Sequence, residues 1–410
     1  MSKKNLNIFT YDYPFIGNDS KFMIDEINFL SKRFDKINII PIKKKKYKVK
    51  KLNKNIKINY DLIYEIYHPL YCFNKIINIF FCSYFWKEFV HLKTKNFFRK
   101  LRMIFTERYL AESVYSFVKK NPKIRNNLSY SIWSNHTLIG FYLLKKKKLI
   151  GKCFARTLGS DLKGFIPFDK YIAFKDIKFK ELDLIITLNS EQNKILHSQK
   201  LIKKNLILKN YLGINSQYNF KLFLEKKIIN FASCGSLIHI KNNLEILKFI
   251  TFFSKQNPNY KIRYYCIGKG PEKDQIINFA KKNLVNNLKF IHVEYTSSLI
   301  KFLKKKKINF FINLSFSEGM SFAVMEAISC SIPIICSNIA GNLEVVNDQN
   351  GYVVRNSYYE TYNNISAKII RDYEGKEYKK KCILNFNLAK KKISRKRNQL
   401  LLDKILRKLN

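Results

Sequence analysis

Apolar positions along the second half of this chain alternate between two spacings. Short, nearly unbroken apolar runs, "IINFASCG" (228–235), "LKFIHV" (288–293), "INFFINLS" (308–315) and "IPIICSN" (332–338), are separated by segments whose apolar residues recur at helical spacing. The latter are "NNLEILKFITFFSKQ" (242–256), "DQIINFAKKN" (274–283), "SLIKFLKKKK" (298–307) and "MSFAVMEAISC" (320–330). The first pattern predicts buried strands and the second amphipathic helices. "YKIRYYCIGKGPE" (260–272) adds a strand that ends in a glycine turn. Strands apolar on both faces, each followed by a helix, predict a doubly wound parallel sheet. Ligands of such sheets bind beyond the carboxyl ends of the strands, and "LSFSEG" occupies one of those ends.

The first half carries the same alternation less cleanly. "LNIFTYDYP" (6–14), "KINIIPI" (36–42), "YSIWS" (130–134), "GKCFARTLG" (151–159) and "DLIITLN" (183–189) predict strands, and "SKFMIDEINFLSKRF" (20–34) and "SEQNKILHSQ" (190–199) predict helices. Residues 62–120 are aromatic, basic and of helical character. The apolar runs stop at 209–226, where turn residues mark a linker. The expected organisation is therefore two α/β domains of similar size, 1–212 and 213–385, with a cleft between them. A basic helix, 386–410, is expected to pack back toward the first.

Two carboxylates interrupt the apolar stretch after 308: Glu318, followed by Gly319, and Glu326, eight positions on. Eight helical steps span about 12 Å, wider than the roughly 5–9.5 Å of two carboxylates flanking one glycosidic bond. The pair suits the two ends of an extended ligand. Between them, the amides of Gly319, Met320, Ser321 and Phe322 would open a helix, a natural seat for phosphate. Carboxylate, amides, carboxylate matches sugar, diphosphate, ribose, since carboxylates accept hydrogen bonds from hydroxyls at both oxygens. A plainer reading makes Glu318 a helix cap and Glu326 a surface residue.

Composition adds a partner question. The chain is 46% hydrophobic over 410 residues, enough for packed cores, yet its formal net charge is +47. That charge points to polyanions such as nucleic acid, anionic membrane or phosphorylated substrate, or to lysine drift on solvated faces. The basic runs at 43–54, 145–148, 304–307 and 390–397 form no recognisable nucleic-acid module, and no nucleic-acid partner is expected. The eight cysteines include no CxxC pair or His/Cys ligand spacing, so neither zinc nor disulfides are expected, in keeping with a reduced cytoplasm. The start "MSKKNLNIFTYDYPF" predicts no signal peptide, and no window is long and apolar enough to span a bilayer.

"SEGMSFAVMEAISCSIPIICSNIAGNLEVVNDQNGYVV" resembles the donor-site signature of family 4 retaining glycosyltransferases of the GT-B fold (glycosyl transferases group 1), through Glu318, Glu326, Ala327, Pro333, Gly341, Glu344, Asn350 and Gly351. "ASCGSLIHIKNN" is similar to the family's phosphate-binding lysine region, at Lys241, and "YCIGKGPE" to its Gly-x-Gly turn, at Gly268 and Gly270. In the first domain "YPFIGNDSKFMIDEINFL" resembles the glycine-loop opening, with Gly17, Asn18, Asp19 and Glu26. "ARTLGSDL" resembles an Arg-Ala-His-Gly-x-Asp segment, with Arg156, Gly159 and Asp161. The likeness covers nearly the whole chain, strongly in 228–353 and weakly in 60–125. It implies a GT-B fold of two Rossmann-like doubly wound domains with an inter-domain cleft.

The resemblance also implies transfer of a hexose from a nucleotide diphosphate sugar to a saccharide or lipid-linked acceptor. Retention of configuration is implied, with no cofactor and no metal, within lipopolysaccharide, O-antigen or capsule synthesis. Glu318 and Lys241 would be catalytic, and Gly319, Met320, Ser321, Phe322, Glu326 and Gly268 would bind the donor. Gly17, Asn18, His136 and Asp161 would lie on the acceptor side, with His136 either a base or a structural histidine. Two positions depart from the family: Ser236 where an Arg is common and Leu158 where a His is common. A catalytically inactive partner protein, a basic nucleic-acid-binding protein and a nucleotide-sugar epimerase are the alternatives. Segment 73–105 mixes Phe, Trp, Ile and Tyr with Lys and Arg and carries one acid, Glu88. It is expected to be either ordinary core and solvated face, or a surface that seats a cytoplasmic protein peripherally on the inner face of the cytoplasmic membrane.

Overall fold

The computed structural model describes residues 5–16, 20–48, 51–90, 92, 96–163, 171–215, 220–355 and 358–409. Gly17, Asn18 and Asp19 lie outside the described residues, as do Lys93 and Lys95. The chain divides into two compact units, Met1–Leu212 with Leu401–Asn410, and Gly213–Leu400. The expected segment 386–410 is thus shared: its apolar end, Leu402, Ile405, Leu406 and Leu409, joins a core with Leu6, Met23 and Ile27, while residues to 400 group with the second unit.

The described strands of the first unit are β1 (Leu6–Thr10), β2 (Ile37–Pro41), β3 (Ile56–Ile58), β4 (Leu128–Ser131), β5 (Cys153–Arg156), β6 (Leu184–Thr187) and β7 (Ile207–Lys209). They form one parallel sheet in the order β3-β2-β1-β4-β5-β6-β7. The second unit's sheet, also parallel, runs β10-β9-β8-β11-β12-β13. Its strands are β8 (Ile228–Cys234), β9 (Lys261–Ile267), β10 (Leu288–Val293), β11 (Phe310–Asn313), β12 (Ile334–Ser337) and β13 (Gly351–Val354). β1 and β11, like most of these strands, bury nearly every residue, which is why they read as unbroken apolar runs rather than alternating ones.

Winding reverses between β1 and β4 in one sheet and between β8 and β11 in the other. The loops that leave those paired strands diverge to opposite faces and open a crevice at the carboxyl edge. Among the described residues, three of the expected site residues follow these strands: His136 after β4, Lys241 after β8 and Glu318 after β11. Capping residues set the helices there. Asn135 accepts from Thr137 N at 3.2 Å before the helix His136–Lys146, and Ser321 accepts from Val324 N at 3.4 Å before the helix Phe322–Ser329.

Candidate functional site

Lys241 and Glu318 are far apart in sequence, but their strands are neighbours, and the loops after them are tied together. Phe316 N donates to Ile240 O at 2.9 Å, and Asn242 Nδ2 to Leu314 O at 3.4 Å. Lys241 ends a short 3-10 turn, His239–Lys241, which Asn242 closes in the left-handed region with φ 53°. Its Nζ lies 2.5 Å from Glu318 Oε1. Ser315 Oγ donates to the same oxygen at 2.9 Å and Asn313 Nδ2 at 3.4 Å. All three bonds fall on Oε1, and among the described residues none falls on Oε2, so one carboxylate oxygen is fixed by three donors. The Glu318 side chain is only 10% exposed and Lys241 27%, so the pair is partly desolvated and its charges are less screened than on an open surface.

Two glycines permit this geometry. A Cβ on Gly341 would fall 2.4 Å from Glu318 O and 2.9 Å from Glu318 Cβ, so only glycine lets the loop after β12 close over the Glu318 backbone. Gly268 has φ +150°, and a Cβ there would meet Gly235 O at 1.8 Å. The Gly268–Gly270 turn holds the loop that leads to Lys241 through Leu237, whose N donates to Lys269 O at 3.0 Å and whose O accepts from Glu272 N at 3.1 Å. Gly268 thus positions the lysine's loop, and its own carbonyl is occupied by His292 Nε2 at 2.8 Å.

The expected row of opening amides is shorter than the sequence suggested. The helix begins at Phe322, so Gly319 and Met320 belong to the preceding loop and the Met320 side chain is buried. Ser321 has extended ψ of 118°, and its hydroxyl already takes the Val324 amide, because an N-cap satisfies one of the helix's own donors. Glu326 lies inside the helix, half-buried. Burial pushes its carboxyl up to about 7, against the opposing charge of Arg395. Asn313 and Ser315, which orient Glu318, had not been singled out in the sequence. Their signal was two polar residues at the end of the apolar strand β11, where a buried side chain must find partners.

On the first unit the structure gives His136 and Asp161 interior partners. His136 is buried, with Nδ1 3.8 Å from Glu107 Oε1, while Lys178 Nζ lies 2.9 Å from Glu107 Oε2. Burial alone would raise the Glu107 carboxyl, but Lys178 and His136 together hold it down to about 2. Asp161 accepts the backbone amides of Gly159 at 2.8 Å, of Leu158 at 3.0 Å and of Ser134 at 3.1 Å, which shapes the loop after β5 against the loop after β4. Leu158, the departure from the family's His, packs against the core. Ser236, the departure from its Arg, accepts the Asn243 side-chain amide at its carbonyl at 3.2 Å. Among the described residues no group of three His, Cys, Asp or Glu side chains could hold a metal ion.

Two doubly wound parallel sheets with their switch points so equipped define a GT-B architecture. The family description Glycosyl transferases group 1 matches residues 215–386, the unit that carries Lys241 and Glu318. Among curated proteins the chain is similar to the capsular polysaccharide biosynthesis glycosyltransferase CapM of Staphylococcus aureus, 25% identical over 52% of this chain and 58% of that one. It is also similar to the uncharacterized glycosyltransferase MJ1178 of Methanocaldococcus jannaschii, 27% identical over 52% of this chain and 61% of that one. These matches span little more than half of the relatives' length. Among solved structures, TarM superposes with a TM-score of 0.68 at 13% identity over 99% of both chains. The Anabaena Alr3699/HepE complex with UDP and glucose does so with a TM-score of 0.64 at 12% identity, over 99% of this chain and 100% of that one. At such identities the likeness establishes the fold.

Proposed function

We propose that this protein is a retaining glycosyltransferase that moves a hexosyl group from a nucleoside diphosphate sugar to a saccharide or lipid-linked acceptor in surface-polysaccharide synthesis. The observation that carries the reading is Glu318: three donors hold one of its oxygens at the switch point of the second sheet, and Lys241 stands beside it. In this reading Glu318 Oε2 takes a sugar hydroxyl and Lys241 neutralises the diphosphate as charge builds on it. A fixed cation does this without reorganising in the transition state. The bond from the anomeric carbon to the diphosphate oxygen breaks. The acceptor hydroxyl oxygen bonds that carbon on the same face, and its proton leaves with the diphosphate. The match to Glycosyl transferases group 1 and the likeness to a capsule glycosyltransferase support the reaction class and the setting.

The test is to present purified protein with a panel of nucleoside diphosphate sugars and saccharide acceptors, following released nucleoside diphosphate and the anomeric configuration of the product. Turnover with retained configuration is expected. Nucleotide binding without turnover would favour the inactive partner protein, and neither binding nor turnover would remove the assignment. Because Lys241 supplies the positive charge, transfer should continue unchanged in a chelator. Loss restored by magnesium or manganese would contradict that role.

Glu326 gives a pH prediction. In this reading its carboxylate holds the ribose diol, and the ionised form accepts those hydrogen bonds best. Its raised pKa means that the folded protein keeps this proton up to about pH 7. The fold therefore loses some stability as pH rises from the ordinary carboxylate range to about 7, because the unfolded chain binds fewer protons there. Donor KM should instead fall as pH rises through about 7, with Glu326→Gln flattening that dependence and Glu326→Ala raising KM more than it lowers kcat. An unchanged KM profile in the glutamine variant would remove Glu326 from the donor site.

A further inference from the structure

The helix Pro69–Phe80 carries its apolar stripe on the wrong side for a soluble core. Phe73, Ile76, Ile77 and Phe80 follow the i, i+3, i+4, i+7 spacing that ordinarily faces inward, yet all four are exposed, Phe73 to 68%. The inward face carries Ile79 and a lysine: Lys75 is buried, 3.8 Å from Glu65 Oε2. The next helix, Ser83–Val90, continues the arrangement. It buries Phe85 and exposes Trp86 and Val90, and its flanks expose Phe81 to 87% and Phe98 to 83%. A contiguous stretch of exposed large apolar side chains is an interaction surface rather than scattered surface residues.

Its charges indicate the partner. From residue 69 to 106 the only acid is Glu88, and its carboxylate is turned to Tyr171 Oη at 2.6 Å and Phe174 N at 2.8 Å. Lys87, Arg99 and Arg102 are exposed among the aromatics. At the N-terminal end of the first helix a pocket of about 560 Å³ is lined by Lys44 and Lys48 with Tyr60, Tyr64 and Tyr67, so cations border the apolar face there too. A second copy of a chain with net charge +47 would set like charges against each other across this face. Among the described residues no helix is long and apolar enough to cross a bilayer. Short helices with aromatic side chains outward and cations beside them fit the interface of an anionic bilayer, where rings enter the acyl boundary and cations meet headgroups.

We propose that the helices Pro69–Phe80 and Ser83–Val90 dock this protein on an anionic membrane surface. The proposal stands apart from the transfer chemistry and is tested without it. The full chain is co-sedimented with vesicles of phosphatidylcholine alone or mixed with phosphatidylglycerol, across a salt series. Binding is expected to the mixed vesicles and to weaken with salt. Lys87→Gln, Arg99→Gln and Arg102→Gln together should reduce partitioning on the order of a hundredfold, at about fivefold per cation. Phe73→Ser with Phe81→Ser should reduce it about tenfold or more. Melting curves of both variants, recorded beside that of the unaltered protein, separate a loss of docking from a loss of folding. Equal binding to both vesicle types, no binding, or insensitivity to salt would overturn the proposal. So would a concentration-dependent dimer that the serine variant abolishes, since the face would then be a self-interface.

Discussion

Lys241→Ala and Glu318→Ala should each lower transfer by about 10²–10³-fold while the protein stays folded. That is the usual cost of removing one preorganised contact to charge that develops in the transition state. The two side chains are one device in the structure. Lys241 Nζ, Ser315 Oγ and Asn313 Nδ2 all hold Glu318 Oε1, so the other oxygen of Glu318 is aimed only while its partners are present. The double variant should consequently be little worse than either single one, since residues acting as a unit are not additive. Ser315→Ala should show a smaller loss, because two of the three donors remain. The measurement is kcat/KM for donor and acceptor, beside circular dichroism and a melting curve. Near-native turnover in either single variant would sink the assignment, and so would a double variant whose loss equals the product of the two.

Arg156→Met should have the largest effect on stability. The resemblance placed this arginine in a segment beside Asp161. In the structure it is fully buried, with Nη2 2.9 Å from Glu26 Oε2, Nε 3.1 Å from Tyr130 Oη and Nη1 2.7 Å from Asn210 O. Tyr130 Oη donates to Glu26 Oε1 at 2.7 Å and its ring stacks on Phe154 at 4.4 Å. Burial, the largest single influence, disfavours the guanidinium charge, but Glu26 and Tyr130 together outweigh it and raise the group's pKa. Removing the arginine leaves Glu26 charged and nearly buried, and breaking such a pair costs roughly 3–5 kcal/mol. For a unit of about this size that lowers the melting midpoint by roughly 6–20 °C. Adding Glu26→Gln should recover part of the loss, since the stranded charge is then gone. A midpoint unchanged by Arg156→Met, with transfer abolished, would make Arg156 a ligand-binding residue instead of a pillar of the first unit.

The strand and helix spacing of the second half was legible because buried parallel strands are apolar on both faces. β10 was expected at 288–293 and forms there. β13 was not recognised as a strand, because it opens on a glycine directly after the polar residues 347–350 and so reads as part of a loop. The helix expected from 320 starts at Phe322 because Ser321 competes for the amide of Val324 through its own hydroxyl, and the apolar pattern does not register that competition.

By itself, then, the sequence determined the α/β alternation, the identity of the residues at the carboxyl ends of β8 and β11, and the presence of an apolar and basic stretch after residue 69. Those are properties of local order, written in residue type and period. Only the tertiary structure decided which of them meet. β8 lies beside β11 across the reversal of the sheet, so a lysine and a glutamate from separate loops share one oxygen. Arg156 is enclosed by Glu26, Tyr130 and Asn210 from three other parts of the chain. The stripe Phe73–Phe80 faces solvent while Lys75, on the opposite side, is buried beside Glu65. A periodic pattern fixes which residues share a face of a helix, whereas the side on which the remainder of the chain packs is set by contacts between residues far apart in sequence.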